Sequence, residues 1–135
     1  MSSVSDTTYR LVCAASALAG TPAGWAAETL RDGAITLLPD QGGLDAIDAA
    51  ARTMDQVEVS VLRRAGGDAE QEREVMAFAG GMPLIWVAAQ FSDAARSWAR
   101  ERGPMTLLVI AAGALPEDEL TRIARFVTLL ARQTD

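Results

Sequence analysis

The chain has 135 residues, a formal net charge of -6 and 50% hydrophobic residues, the size and balance of one folded domain with a proper core. It contains no histidine, lysine or asparagine, so its 12 basic residues are all arginine, and Cys13 is its single thiol. These absences exclude Ser-His and Cys-His pairs, histidine metal sites, and Schiff-base or P-loop lysines, and they leave zinc without a ligand set.

Catalysis would have to come from carboxylates, with or without Mg²⁺, or from arginine, Cys13, Tyr9 or a serine. The acidic balance disfavours nucleic acid as a partner, because phosphate neutralisation needs a basic patch. The local clusters Arg63-Arg64 and Arg96, Arg100, Arg102 read as solvated surface charge. One cysteine allows no disulfide within the chain and fits a reducing, cytoplasmic setting. Residues 1–8 are polar, lack the basic region of a signal peptide, and read as a flexible tail. The apolar run Leu11 to Ala19 is too short to span a bilayer, so no membrane partner is expected. Residues 9–135 then form a single α/β domain.

In chain order, Tyr9 to Ala19 comes first and admits two readings. Tyr9 to Cys13 suits a strand, whereas the alanines that follow suit a helix. Gly20-Thr21-Pro22 breaks the segment. Thr21 then reads as the cap of a helix with Pro22 at its first position, running to about Arg31, with Trp25 and Leu30 turned to the core. Ala34 to Leu38 is a short strand closed by Pro39 to Gly43. In Leu44 to Met54, the apolar positions Leu44, Ile47, Ala51 and Met54 recur at helical spacing. Val57 to Leu62 alternates as a strand. Gly66-Gly67-Asp68 opens a helix to about Ala79, with Val75, Met76 and Ala79 on its buried side.

The centre of the chain is the clearest part. Met82 to Ala89 and Met105 to Ala112 are apolar runs of strand length that suit a sheet covered on both faces. Between them Ser92 is placed as N-cap, Asp93 in the first helical turn and Gly103-Pro104 as the stop. Ala94, Ala95, Trp98 and Ala99 form the apolar stripe of that helix. Pro116 opens a last helix whose stripe is Leu120, Ile123, Ala124, Val127, Leu130 and Ala131. The alternation predicts a three-layer α/β/α sandwich around a mostly parallel or mixed sheet of four to five strands.

Four stretches in order carry a resemblance. They are Asp40-Gln41-Gly42-Gly43-Leu44-Asp45, Val57 to Arg64, Glu72 to Gly80, and Ile85 to Gly103 with its Phe91-Ser92-Asp93-Ala94-Ala95-Arg96 turn and helix. Together, over about residues 34–103, they resemble the Mrr-type restriction endonuclease domain of the PD-(D/E)xK nuclease fold. In that family an aspartate and a Glu/Gln hold Mg²⁺ while a lysine activates water. Carried over by position, Asp45 matches the metal aspartate and Arg63 the basic residue after the motif. Ser60 and Leu62 stand where the Glu/Gln and the lysine belong, so the resemblance implies a degenerate active site.

The resulting expectation is a non-catalytic module that binds a protein partner or a second copy of itself. One alternative is a weak nuclease with Asp45 and Glu58 as catalytic and metal-binding residues, and Mg²⁺ is expected as a cofactor only there. Glu58 would serve only through a slip in strand register. The resemblance also implies an antiparallel hairpin where Leu44 to Met54 reads as a helix. If the helix forms, the chain is a flavodoxin-like or receiver-like parallel sheet. Its ligand or partner would then lie at the turns 20–24, 40–43, 66–68 and 90–93, which are rich in small residues and open helices. Glycine at such turns is also ordinary turn chemistry. Cys13 reads as a buried small hydrophobe, and Trp25, Trp86 and Trp98 as core.

Overall fold

The computed structural model describes residues 9–22, 24–31, 33–38, 43–54, 60–62, 67–111 and 113–133, with the backbone alone at Asp68 and Gln133. Among them, five strands form one parallel sheet. They are β1 (Tyr9–Ala14), β2 (Gly33–Leu38), β3 (Ser60–Val61), β4 (Leu84–Ala88) and β5 (Thr106–Ile110). Six helices accompany them: α1 (Ala15–Ala19), α2 (Trp25–Thr29), α3 (Gly43–Thr53), α4 (Asp68–Ala79), α5 (Asp93–Arg102) and α6 (Glu117–Gln133). The strand order is β3-β2-β1-β4-β5 and every ladder is parallel.

The three-layer sandwich follows from the alternation of side chains along the strands. Leu11, Cys13, Ile35, Leu37, Ile85, Val87 and Val109 point to one face. There they pack with Ala17 and Leu18 of α1, Ala50 of α3 and Ile123 and Leu130 of α6. Val12, Leu38, Leu84 and Trp86 point to the other face, against Val75 and Ala79 of α4 and Ala95 of α5. The chain winds outward from β1 through β2 to β3, then returns to β4 and continues to β5. A single hand of crossover therefore places α1 to α3 on the first face and α4 and α5 on the second. A covered parallel sheet explains why Leu84 to Val87 is buried on both sides.

The two open segments resolve as follows. Tyr9 to Ala19 is strand and then helix. Tyr9 to Ala14 pairs with β2 and β4 in the middle of the sheet, and the alanines from Ala15 form the short α1. Gly43–Thr53 is helical, so the apolar spacing of that segment prevails and the hairpin implied by the nuclease resemblance is not formed there. The parallel sheet is of the doubly wound kind. Its order is that of the first five strands of dinucleotide-binding sheets, not the flavodoxin-like order 2-1-3-4-5.

Other expectations need correction. Thr21 does not cap a helix: its hydroxyl donates to the Leu18 carbonyl at 2.8 Å and closes α1. Helix α2 starts later, after Gly24, whose φ of 82° is a left-handed conformation that favours glycine. Of its two core candidates, Leu30 is buried and Trp25 half-buried. Ala94 and Ala131 are exposed rather than part of their helices' buried stripes, and Phe126 packs against the core instead. The strand expected over Val57 to Leu62 is seen as Ser60–Val61, its first half lying outside the described residues.

Candidate functional site

In an open parallel sheet the strands' carboxyl ends are lined with helix N-termini, and a cleft forms where the winding reverses direction. Here that reversal lies between β1 and β4. A cleft of about 950 Å³ lies at the carboxyl ends of β2 and β4, between the first turns of α4 and α5. Leu38 closes β2 at its edge, Trp86 and Ala88 come from β4, and Met76 comes from α4. Phe91 follows β4, and its ring meets that of Trp86 edge to face at 5.0 Å. Trp98 meets Trp86 on another side at 6.2 Å, also edge to face. Such contacts are worth about 0.5–1.5 kcal/mol beyond area burial, so they hold the aromatic floor in one arrangement.

The polar rim has a built feature. Ser92 is extended and caps α5, its hydroxyl accepting from the Ala95 amide at 3.1 Å. The half-buried carboxylate of Glu72, one turn into α4, accepts from the Ser92 amide at 2.9 Å and from its hydroxyl at 2.5 Å. The helix end that would attract an anion is thus already occupied by a carboxylate of this chain. Gln71, Arg73 and Gln90 complete the rim.

The opposite end of the sheet is organised by two arginines. Arg10 of β1 donates to the Phe78 carbonyl at the end of α4 and lies 4.6 Å from the centre of the Phe78 ring. Arg102 donates to the Met82 carbonyl and lies 4.6 Å from that of Trp98. Both stem-and-guanidinium groups serve packing and carbonyl satisfaction. Burial lowers the Arg102 pKa from its ordinary value. Arg102 therefore does not belong to a free basic stripe with the exposed Arg96 and Arg100.

The residues singled out for metal chemistry lie elsewhere. Asp45 stands exposed in the first turn of α3, in the layer across the sheet from the cleft. Glu58 and Arg63 lie outside the described residues. Ser60 is exposed on β3, and Leu62 packs half-buried against the second face. Among the described residues no three His, Cys, Asp or Glu side chains are grouped so as to hold a metal ion. Of the four turns expected at strand ends, 90–93 does border the cleft. Turn 20–24 follows α1 rather than a strand, and residues 40–42 and 66 lie outside the described set. The sequence places Met76 on the buried side of its helix and marks Glu72 only as part of that helix. The Glu72 contact with Ser92 spans 20 residues and leaves no local signature.

Fold and cleft together define a doubly wound parallel α/β domain with a ligand-sized opening at the strand ends. One element of the dinucleotide-binding members of that class is missing. Strand β1 passes directly from Ala14 into Ala15 with no glycine turn, and Ala15, Ala17 and Leu18 are buried, so no pyrophosphate cradle exists after β1. No protein-family model matches this chain, and no curated protein or solved structure matches it either. Among the described residues no helix is long and apolar enough to cross a membrane.

Proposed function

We propose that this chain is a binding module that takes a small molecule in the cleft between α4 and α5. The observation that carries the reading is the place and make-up of the cleft: carboxyl ends of parallel strands, an apolar floor and a few polar groups on the rim. The missing turn after β1 and the carboxylate on α5 turn the reading away from phosphates and dinucleotides. The test is a fragment screen followed by backbone amide shifts. Ligands should move the amides of Ala88 to Ser92 and of the first turns of α4. Ala89→Trp, an exposed rim position, should remove those shifts while leaving the rest of the spectrum in place. Hits that bypass residues 71–76 and 86–92 would end the reading.

A second reading, association of two copies, is favoured by β5. This edge strand is Thr-Leu-Leu-Val-Ile, without a charge or a proline, and its Ile110 is 46% exposed. Such an edge is a template for another strand. The Mg²⁺ nuclease alternative, resting on Asp45 and Glu58, has a direct test in Mg²⁺-dependent DNA cutting that Asp45→Ala abolishes.

A further inference from the structure

The open side of β5 has a definite pattern of free groups. The Ala111 amide donates to the Ala88 carbonyl at 3.0 Å, so Ala111 faces β4. Backbone groups alternate along a strand, so Leu107 and Val109 face β4 as well. Thr106, Leu108 and Ile110 turn their N–H and C=O groups outward. Among the described residues no strand pairs with that side. Leu108 and Ile110 also share a side-chain face, the one that α5 covers, and Ile110 is left 46% exposed there.

This pattern limits how a second copy can complete the edge. A parallel ladder joins each residue to the two that flank its opposite neighbour. A twofold axis along the strands instead sets each residue beside its own copy, so the two requirements conflict. An antiparallel ladder about an axis normal to the sheet meets both. Resting on the association of two copies given above, we propose that the copies pair through β5 with the twofold axis on Leu108. Leu108 then faces Leu108 of the partner subunit, and Ile110 faces Thr106 of the partner subunit. Every outward group of the five-residue strand is matched, and the exposed Ile110 is covered. An axis on Leu107 would leave Ile110 of each copy unmatched, and one on Val109 would leave Thr106 unmatched.

The flanking helices suit the same arrangement. Helices α5 and α6 pack on β5 from opposite faces of the sheet. The acidic residues of α6, Glu117, Asp118 and Glu119, all stand in its first turn, and Arg122, Arg125 and Arg132 follow toward its other end. The axis reverses the second copy, so the acidic end of each α6 lies toward the arginine end of the other. The helix dipoles oppose in the same favourable sense.

Disulfide trapping in the full chain tests the register, with the buried Cys13 of the unsubstituted protein as background. Facing residues of a hydrogen-bonded antiparallel pair have Cα atoms about 5.5 Å apart, within the span of a disulfide. Leu108→Cys should therefore oxidise to a covalent dimer on a non-reducing gel. Ile110→Cys alone should stay monomeric there, because the two Ile110 positions lie about 14 Å apart. An equal mixture of Thr106→Cys and Ile110→Cys proteins should again give covalent dimer, and this result decides the register if Leu108→Cys folds poorly. Trapping by Ile110→Cys alone, or only by mixing Thr106→Cys with Leu108→Cys, would put the axis elsewhere. Either outcome would overturn the register and leave the edge association standing. A chain that sediments as a monomer, or a dimer that no β5 thiol traps, would overturn the register and the β5 association together.

Discussion

Gly33 and Tyr9 face each other across the β1–β2 ladder, and the glycine is there for the ring. A Cβ at Gly33 would lie 2.4 Å from Cε2 and 2.6 Å from Cζ of Tyr9, and the Tyr9 ring is fully buried and cannot step aside. Alanine is ordinarily the better strand residue of the two, having less chain entropy to lose. At this position the clash outweighs that gain. Gly33→Ala should destabilise the protein by about 1–3 kcal/mol, the range for overpacking a filled core. Urea denaturation measures it. Gly81→Ala, whose added Cβ would meet no atom of the described residues within 4 Å, is the matched control and should stay within about 0.5 kcal/mol. Equal effects of the two substitutions would show that Tyr9 does not cover Gly33.

At the scale of elements, α5 and α4 are joined through one serine. Ser92 Oγ accepts from the Ala95 amide and donates to Glu72, so Ser92→Ala removes a cap and an inter-helix contact together. The expected cost is about 1–2 kcal/mol. Glu72→Ala should cost less, because the contact is partly open to solvent and water replaces part of it. In a double-mutant cycle the two positions should couple by at least about 0.5 kcal/mol. Additive losses would mean that the cap alone accounts for the serine. The capping role was legible in the sequence, since Ser92 precedes an acidic first turn and an apolar stripe. So were β4 and β5, because period and local chemistry agree there, whereas Gly43–Thr53 stood open between its helical spacing and the hairpin that the resemblance implies.

Tyr9 to Ala19 was not settled by such signals. Alanine favours helix in isolation, but central pairing with both β2 and β4 imposes a strand on its first half, and pairing partners 24 and 74 residues away leave no local trace. The same reasoning applies to Glu72, which faces Ser92 only because α4 and α5 share a layer. Thr21-Pro22 imitated a helix start, while the Thr21 hydroxyl closes the preceding helix instead. At the cleft, Trp86 is legible as core and is core, while Phe91 reads only as part of the turn before α5 and is buried as well. That they also line an opening depends on where the winding reverses, which strand order decides and periodicity does not encode.

Strand order also has a consequence for the whole molecule. Order β3-β2-β1-β4-β5 leaves β5 at an edge, with one row of backbone N–H and C=O groups facing outward. Soluble proteins blunt such edges with charges, proline or a covering element, and β5 carries neither charge nor proline. Ile110 is 46% exposed at its end, and Leu129 of α6 is 49% exposed. Two copies placed edge to edge about a twofold axis would pair their β5 strands antiparallel into one ten-stranded sheet, each edge satisfying the other. Sedimentation equilibrium should then give a dimer. Ile110→Arg should shift it to monomer without lowering the melting temperature of the fold by more than the loss of association accounts for. The cleft lies at the carboxyl ends of β2 and β4, so small-molecule binding should survive in the monomer, separating the two readings. A wild-type chain that stays monomeric up to hundreds of micromolar would sink the edge pairing and leave the cleft as the sole proposed contact with a partner.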